Sequence, residues 1–362
     1  MKYDEQIAII VKIIALRRDE SLSDLSLTTD DAKQIAQTAT QQGVATWTLW
    51  RIRQDYAQCT NLQQLAAEIR NYAIAIAVSN EHTKNVFFKI AHRLETEGIT
   101  VVAMKGVAMM LAHYPEIAMR QIGDIDIWVD HSDVYRAHEI ISEFDAAFQY
   151  DSHRRTKILS ETIKTHLPSF TIDGLHVELH FNFYSAYNDK NPQIILSEHI
   201  AEHRYQNEIV RTFDAPTLLY HQTTHLAKSR RVVSGRLNWL LDIAVLMENF
   251  GDDMVDICKQ AIAVNKLNKS ELIEYWQYCA SLLSKEKSNI LCQAFNITEQ
   301  PIDAKFLRCL HQSNRFSPKR LSRAAIFLMR YAYHEVSNIQ SLTSKLKYIR
   351  DILHDLTVRN IT

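Results

Sequence analysis

Apolar residues recur at three- and four-residue spacings along most of this chain, and the candidate chemistry lies where that period breaks. Within residues 1–98, "QIAIIVKIIALRR", "DAKQIAQTATQQGVATWTLWRIRQ" and "LQQLAAEIRNYAIAIAVSNEHTKNVFFKIAHRLETEG" keep the spacing with charges on the opposite faces, which predicts helices. "SLSDLSLTTDD" separates the first two, with Thr29 or Asp30 placed to cap the second, and Gly98 closes the last. After Gly98 the texture changes. "ITVVAM" is short, apolar and β-branched at its start, so it reads as a buried strand; "GVAMMLAHY" fits a helix closed by Pro115; "DIDIWVD" alternates with period two; "SDVYRAHEIISEF" is helical again, capped by Ser132 or Asp133. Strand, helix, strand, helix is the order of an α/β core. In "SFTIDGLHVELHFNF" two alternating runs flank Asp-Gly, whose residues suit both left-handed positions of a type I′ turn, so a β-hairpin is expected. From about residue 190 onward helical spacing is read again, in "APTLLYHQTTHLAKSRR", "RLNWLLDIAVLMENF", "ELIEYWQYCASLLSK" and "RLSRAAIFLMRYAYHEV". The expected organisation is a helical region over 1–85, an α/β core over 86–188 and a helical, substrate-binding region over 189–362. The expected fold class is α+β, helix-rich, with a small mixed sheet.

Composition supports the helical reading: only 7 Gly and 6 Pro punctuate 362 residues, too few for an all-β chain with many turns. With 46% hydrophobic residues the chain can bury a sizeable core. Lys and Arg number 41 against 42 acidic residues, so no general field attracts nucleic acid or an anionic membrane, and any polyanion must be held locally. Five cysteines, at 59, 258, 279, 292 and 309, form no C-x-x-C pair and read as reduced, buried thiols. The N-terminal apolar run is interrupted by Lys12 and reads as an amphipathic helix, not a signal peptide. No stretch reaches the roughly 18 consecutive apolar residues that span a bilayer, so a cytoplasmic protein without membrane contact is expected.

In a strand, residues i and i+2 share a face about 7 Å apart. Asp124, Asp126 and Trp128 therefore share one face of "DIDIWVD", and Ile125, Ile127 and Val129 the other. The apolar face can pack on helices, whereas unpaired carboxylates cannot be buried without a proton or a cation. In "LHVELHF" the same logic puts Val177, Leu179 and Phe181 on one face and His176, Glu178 and His180 on the other. If the two strands are neighbours, Glu178 joins the pair, and three carboxylates converge as a site for Mg²⁺, whose oxygen ligands are shared with substrate phosphates. Lys105-Gly106 stands at a strand-to-helix junction, where backbone N–H groups can receive phosphate oxygens, and Arg120 brings a guanidinium four residues ahead of Asp124. Acidic strand, glycine turn and basic flank together describe a site for a metal-bound triphosphate. Trp128 could stack a base but reads more simply as a core or rim aromatic, and His180 could bond a ligating carboxylate or cover the sheet. In "KSRRVVSGR", Lys228, Arg230, Arg231 and Arg236 either contact the triphosphate or form a solvated loop. "HQTTH" has the histidine spacing of a zinc peptidase with Gln222 where the general-base Glu belongs, and "HVE" lacks the Pro-Cys-x-x-Cys of a zinc deaminase. Both zinc readings are set aside.

The order of "GITVVAMKGVAMM", "YPEIAMRQIGDIDIWV", "VELHFNF" and "HLAKSRRVVSGRLNWLLDIAVL" resembles a poorly characterised bacterial nucleotidyltransferase family of the DNA polymerase β-like superfamily, over roughly residues 80 to 250. The resemblance implies a small mixed sheet with helices on one face, a polymerase β-like palm, and two divalent ions, Mg²⁺ or alternatively Mn²⁺. Carried over by position, it makes Asp124 and Asp126 metal ligands, Glu178 the third carboxylate, and Gly106 the start of a phosphate-cradling helix. Many superfamily members have Gly-Ser or Gly-Gly where this chain has Lys105-Gly106, so Lys105 either adds a cationic phosphate contact or packs nearby. His225, Trp239 and Asp242 are expected to fix helix packing. The implied reaction is attack of an acceptor hydroxyl on the α-phosphate of an NTP with release of pyrophosphate. The neutral charge favours a small molecule or a protein over long nucleic acid as acceptor. The alternative is a catalytically silent nucleotide-binding or protein-interaction module on the same fold.

Overall fold

The computed structural model describes residues 1–144, 166, 167, 169–183, 195–232, 236–265, 269–303 and 306, the side chains of 228–232 excepted. The expected helix at "RLSRAAIFLMRYAYHEV" lies outside these residues. Four helices open the chain: α1 (Tyr3–Ile14), α2 (Thr29–Gln41), α3 (Ala45–Asp55) and α4 (Thr60–Thr96). The cap of α2 is Thr28, one residue ahead of the expected position. Its hydroxyl accepts from the Asp31 N–H while Asp31 accepts from the Thr28 N–H, closing a capping box. The single helical run expected across residue 43 is two helices, because Gly43 takes a left-handed φ of 70° between them. After α4, Gly98 takes φ 76° and the Ile99 N–H returns to the Leu94 carbonyl, ending the helix where the sequence predicts.

Strand β1 (Val102–Ala103) leads into a short helix α5 (Lys105–Ala108) that continues as a π-turn over Met109–His113, and then β2 (Ile125–Trp128) and helix α6 (Val134–Ser142) follow. The expected hairpin is β3 (Phe170–Ile172) and β4 (Leu175–His180), turned by Asp173 at φ 50° and Gly174 at φ 81°. The sheet order is β1-β2-β4-β3, with β2 and β4 parallel and the outer pairs antiparallel, so the sheet is mixed. A second hairpin, β5 (Ile200–Tyr205) and β6 (Glu208–Phe213), corrects the helical reading of the chain from residue 190, since helices resume only at Ala215. Its strands alternate, but the turn uses Gln206 at φ 54° instead of glycine, and charged residues occupy the outer face, so neither turn chemistry nor an apolar run announces it. Five helices follow: α7 (Ala215–Val232), α8 (Leu237–Asn249), α9 (Met254–Val264), α10 (Lys269–Ala280) and α11 (Lys285–Phe295). No helix among the described residues is long and apolar enough to cross a membrane.

Two apolar cores flank the sheet. The smaller joins Val86, Phe87, Ile90 and Leu94 of α4 to Ile125, Ile127, Val129, Val177 and Leu179, the predicted apolar faces of β2 and β4. The larger runs on the other side and takes side chains from both ends of the described chain: Ile7, Ile10 and Ile13 of α1, Leu62 and Leu65 of α4, Leu240 and Leu241 of α8, Trp276 of α10. Trp128, on the acidic face of β2, points into this larger core and meets Phe213 edge-on at 5.5 Å, so it is a core aromatic and not a base-stacking one. The described cysteines carry free thiols, and Cys59, Cys258 and Cys279 are buried.

Candidate active site

The parallel pairing of β2 with β4 sets Asp126 directly opposite Glu178, with Ile127 opposite Leu179 and Trp128 opposite His180. Period two therefore stacks Asp126, Glu178 and His180 on one face while the intervening Ile and Leu side chains anchor both strands to the smaller core. His180 Nε2 lies 2.8 Å from Asp126 Oδ1 and 3.3 Å from Glu178 Oε2. One donor atom from each of Asp126, Glu178 and His180 falls within 4.8 Å of the others, a spacing that could hold a metal ion. His176 Nε2 stands 3.5 Å from the other oxygen of Glu178. Asp124 precedes the strand at its exposed end.

Lys105 completes this cluster. Its Nζ is 2.6 Å from Asp126 Oδ1, 3.5 Å from His180 Nε2 and 3.7 Å from Glu178 Oε2. The Met104 N–H donates to the Asp126 carbonyl at 3.0 Å, which fixes the end of β1 over β2, and Lys105 itself adopts φ 45°, a left-handed backbone that is costly for a residue with a Cβ. Gln222 of α7 donates its Nε2 to the Lys105 carbonyl at 3.3 Å. Gly106 packs closely: a Cβ there would lie 3.1 Å from Ile122 Cδ1, which would have to shift slightly, and 3.8 Å, an ordinary contact, from a guanidinium nitrogen of Arg120. The loop carrying Asp124 thus packs against the start of α5.

Burial works against every charge here, and the charges answer one another. Desolvation would raise Asp126, which is 1% exposed, but the Lys105 charge and the His180 hydrogen bond outweigh it and hold the carboxyl well below its usual range. Burial also opposes the charged form of Glu178, and the proximity of His180 and His166 brings that carboxyl down to about 2. Asp124 keeps one side open to solvent, yet the protein packed around its other side and then the Asp126 charge raise it. Burial presses Lys105 toward the neutral form, yet Asp126 and Glu178 turn the balance and raise it. His166, whose ring is 5.2 Å from that of His180, is pushed down to about 4 by burial.

Arg120 has a different occupation from the one expected. Its Nε and one terminal nitrogen each donate to Asp242 at 2.8 Å, the other terminal nitrogen donates to the Gln121 carbonyl, and the residue is 5% exposed. Tyr114 donates to the same carboxylate at 2.9 Å, so Asp242 of α8 ties the segment before Asp124 to the C-terminal helices. Trp239 receives the His225 ring edge-on at 5.1 Å, a packing contact of α7 with α8. Lys228 and Arg231 stand on α7, with their side chains outside the described residues, as is that of Arg230; Arg236 precedes α8 on the surface. His221 and Phe183 had no place in the sequence reading of the carboxylate site. His221 is 7% exposed, stacks on Phe183 at 4.3 Å and leaves Nδ1 without a partner among the described residues, while burial holds its ring well below the usual histidine range. Its only sequence signal is the HQTTH spacing, which points at zinc and not at this pocket.

The residues present fit a divalent cation: two carboxylates and an imidazole converge, and the fixed positive charge beside them is the Lys105 ammonium. A family described as "uncharacterised nucleotidyltransferase" matches residues 28–283. Among curated proteins, no sequence matches. Two solved structures are similar in part. One is a Thermotoga maritima protein provisionally named a nucleotidyltransferase, 20% identical, with a TM-score of 0.30, covering 41% of this chain and 86% of its own. The other is an antigenic nucleotidyltransferase-like protein from Paracoccidioides brasiliensis, 15% identical, with a TM-score of 0.29, covering 55% of this chain and 91% of its own. The family match, over more than half of the chain, carries the assignment.

Proposed function

Since the chain belongs to the uncharacterised nucleotidyltransferase family, we propose that it transfers an NMP from an NTP to a hydroxyl of an acceptor, with Asp124, Asp126 and Glu178 as the metal-binding carboxylates. The observation that carries this reading is the register that sets Asp126 opposite Glu178 on parallel strands, two residues beyond Asp124. Divalent ions held there, Mg²⁺ or Mn²⁺, would neutralise the triphosphate and activate the attacking hydroxyl.

The protein's own part is positioning. Asp126 and Glu178 stay ionised at neutral pH and offer oxygen ligands, and His180 fixes the Asp126 carboxylate by hydrogen bonding to it. Glu178 is a ligand in this reading, with its carboxyl held down by the neighbouring histidines and Lys105. Lys105 and the Gly106 N–H receive phosphate oxygens, joined by Lys228 and Arg231 from α7. Arg120 acts from behind, orienting the loop that carries Asp124. The acceptor oxygen bonds to the α-phosphorus as its proton passes to solvent water, the bond to the bridging oxygen between the α- and β-phosphates breaks, and pyrophosphate leaves with the electron pair. A small molecule or a protein hydroxyl is the acceptor this reading favours over long nucleic acid, given 41 basic against 42 acidic residues.

The test is incubation with α-labelled NTPs and a cell extract in the presence of Mg²⁺. Label should enter an acceptor with wild type, and fall by about a hundredfold or more with Asp126→Asn or Glu178→Gln, because each removes ligand charge while keeping shape. Full labelling by either folded variant at limiting Mg²⁺ refutes the assignment.

A further inference from the structure

We propose that the Lys105 ammonium is a resident counter-cation of the carboxylate site, occupying the position a divalent ion takes and leaving it when the ion arrives. This rests on the reading of Asp126 and Glu178 as metal ligands. The geometry is that of a tethered ion. Nζ stands 2.6 Å from Asp126 Oδ1, 3.7 Å from Glu178 Oε2 and 3.5 Å from the His180 Nε2 that bonds Asp126, and the first of these is a tight charge-assisted bond to the more buried of the two carboxylates. A magnesium ion needs about 2.0–2.1 Å to the same Asp126 oxygen and an approach clear of other cations, so it and the ammonium compete for one lone pair and one volume.

The backbone points the same way. Lys105 is held at φ 45° by the Met104 N–H bond to the Asp126 carbonyl below it and by Gln222 on its own carbonyl. A strained conformation maintained from both sides keeps the side chain over the carboxylates. The need for such a charge is plain. Asp126 is 1% exposed and paired carboxylates at this distance repel, so without metal the site requires a cation to stay ionised. Lys105 supplies it, and once displaced it is free to meet the phosphates that accompany the ion. The site thereby exchanges one cation for another as the metal-bound nucleotide enters, and an ion must be strong enough to remove the ammonium before it can bind.

The experiment measures Mn²⁺ binding directly, by the loss of the free-ion electron paramagnetic resonance signal, on folded wild type, Lys105→Met and Lys105→Arg. Lys105→Met keeps the length of the side chain and removes its charge, so it should bind Mn²⁺ about tenfold or more tighter than wild type, whereas Lys105→Arg should bind no tighter. Mn²⁺ affinity in Lys105→Met equal to or weaker than that of wild type overturns the inference alone and leaves the carboxylate assignment standing. Failure of every form to bind Mn²⁺ overturns both. A second measurement needs no variant: acetic anhydride labelling of wild type, read by mass spectrometry on the Lys105 peptide. Labelling should rise about threefold or more when EDTA is replaced by Mg²⁺, as the amine leaves its buried pair. Labelling that stays level or falls shows that the ammonium does not move, and the inference fails.

Discussion

Arg120 and Asp242 are 122 residues apart in sequence and meet as a bidentate pair with almost no exposure, Arg120 side chain 6% and Asp242 1%. A buried pair of this kind contributes little relative to well-packed apolar residues, but removing one member strands the other. Asp242→Leu should therefore lower the unfolding free energy by about 3–5 kcal/mol, and the double variant Arg120→Met, Asp242→Leu should recover most of that loss in denaturant titration. A double variant as unstable as the single one would show that the pair itself, not the stranded charge, stabilises the joint. This residue scale also marks the limit of what the sequence discloses. Alternation alone revealed that Asp126 and Glu178 face away from their apolar neighbours, because a strand's period is local. The Lys105 bond to Asp126 was invisible, since it depends on a left-handed backbone and on the approach of two strands; so was the true partner of Arg120, which no spacing connects to Asp242.

Among the elements, those with local punctuation were legible. Asp173-Gly174 announced its hairpin through turn chemistry, and Gly98 announced the end of α4. Gly43 was a quieter signal. Its φ of 70° divides α2 from α3, and a Cβ there would lie 2.6 Å from Asn238 Nδ2 and 2.9 Å from Asn238 Cγ at the first turn of α8. Gly43→Ala should cost about 1–3 kcal/mol from the two effects together. Pairing it with Asn238→Ala should restore only the steric part, so a partial recovery in thermal unfolding is expected and complete recovery would exclude backbone strain. The hairpin of β5 and β6 was not legible for the opposite reason: Gln206 performs a glycine's conformational task without a glycine's signature.

For the molecule as a whole, several buried histidines work together on the pH dependence, and His113 is the one away from the carboxylate site whose share can be isolated. His113, at the end of the π-turn, is brought down to about 4 by burial and by His203, whose ring meets it at 5.1 Å, and its Nε2 is buried without a partner among the described residues. Its folded value lies below the unfolded 6.5, so the unfolded state binds the extra proton first. The stability it contributes is present above 6.5 and is lost as the pH falls toward about 4. The loss from this group is on the order of 2–3 kcal/mol, and His113→Leu should flatten the corresponding fall in urea midpoint over that window. An unchanged slope in the variant would place the dependence elsewhere.

The larger core carries a consequence for how the chain acquires its structure. Leu16 donates its N–H to the Leu282 carbonyl, Asn238 donates its own to Gln42, and Ile7 and Ile13 share one apolar cluster with Trp276 and Leu283. On a ribosome that delivers the N-terminus first, α1 through α3 can pack on one another and on α4 early, but the part of their surface that meets α8 and α10 stays bare until residues 237–280 have been made. The first helices made are completed only by helices made much later, and the patch left bare in between is where a chaperone would find its grip.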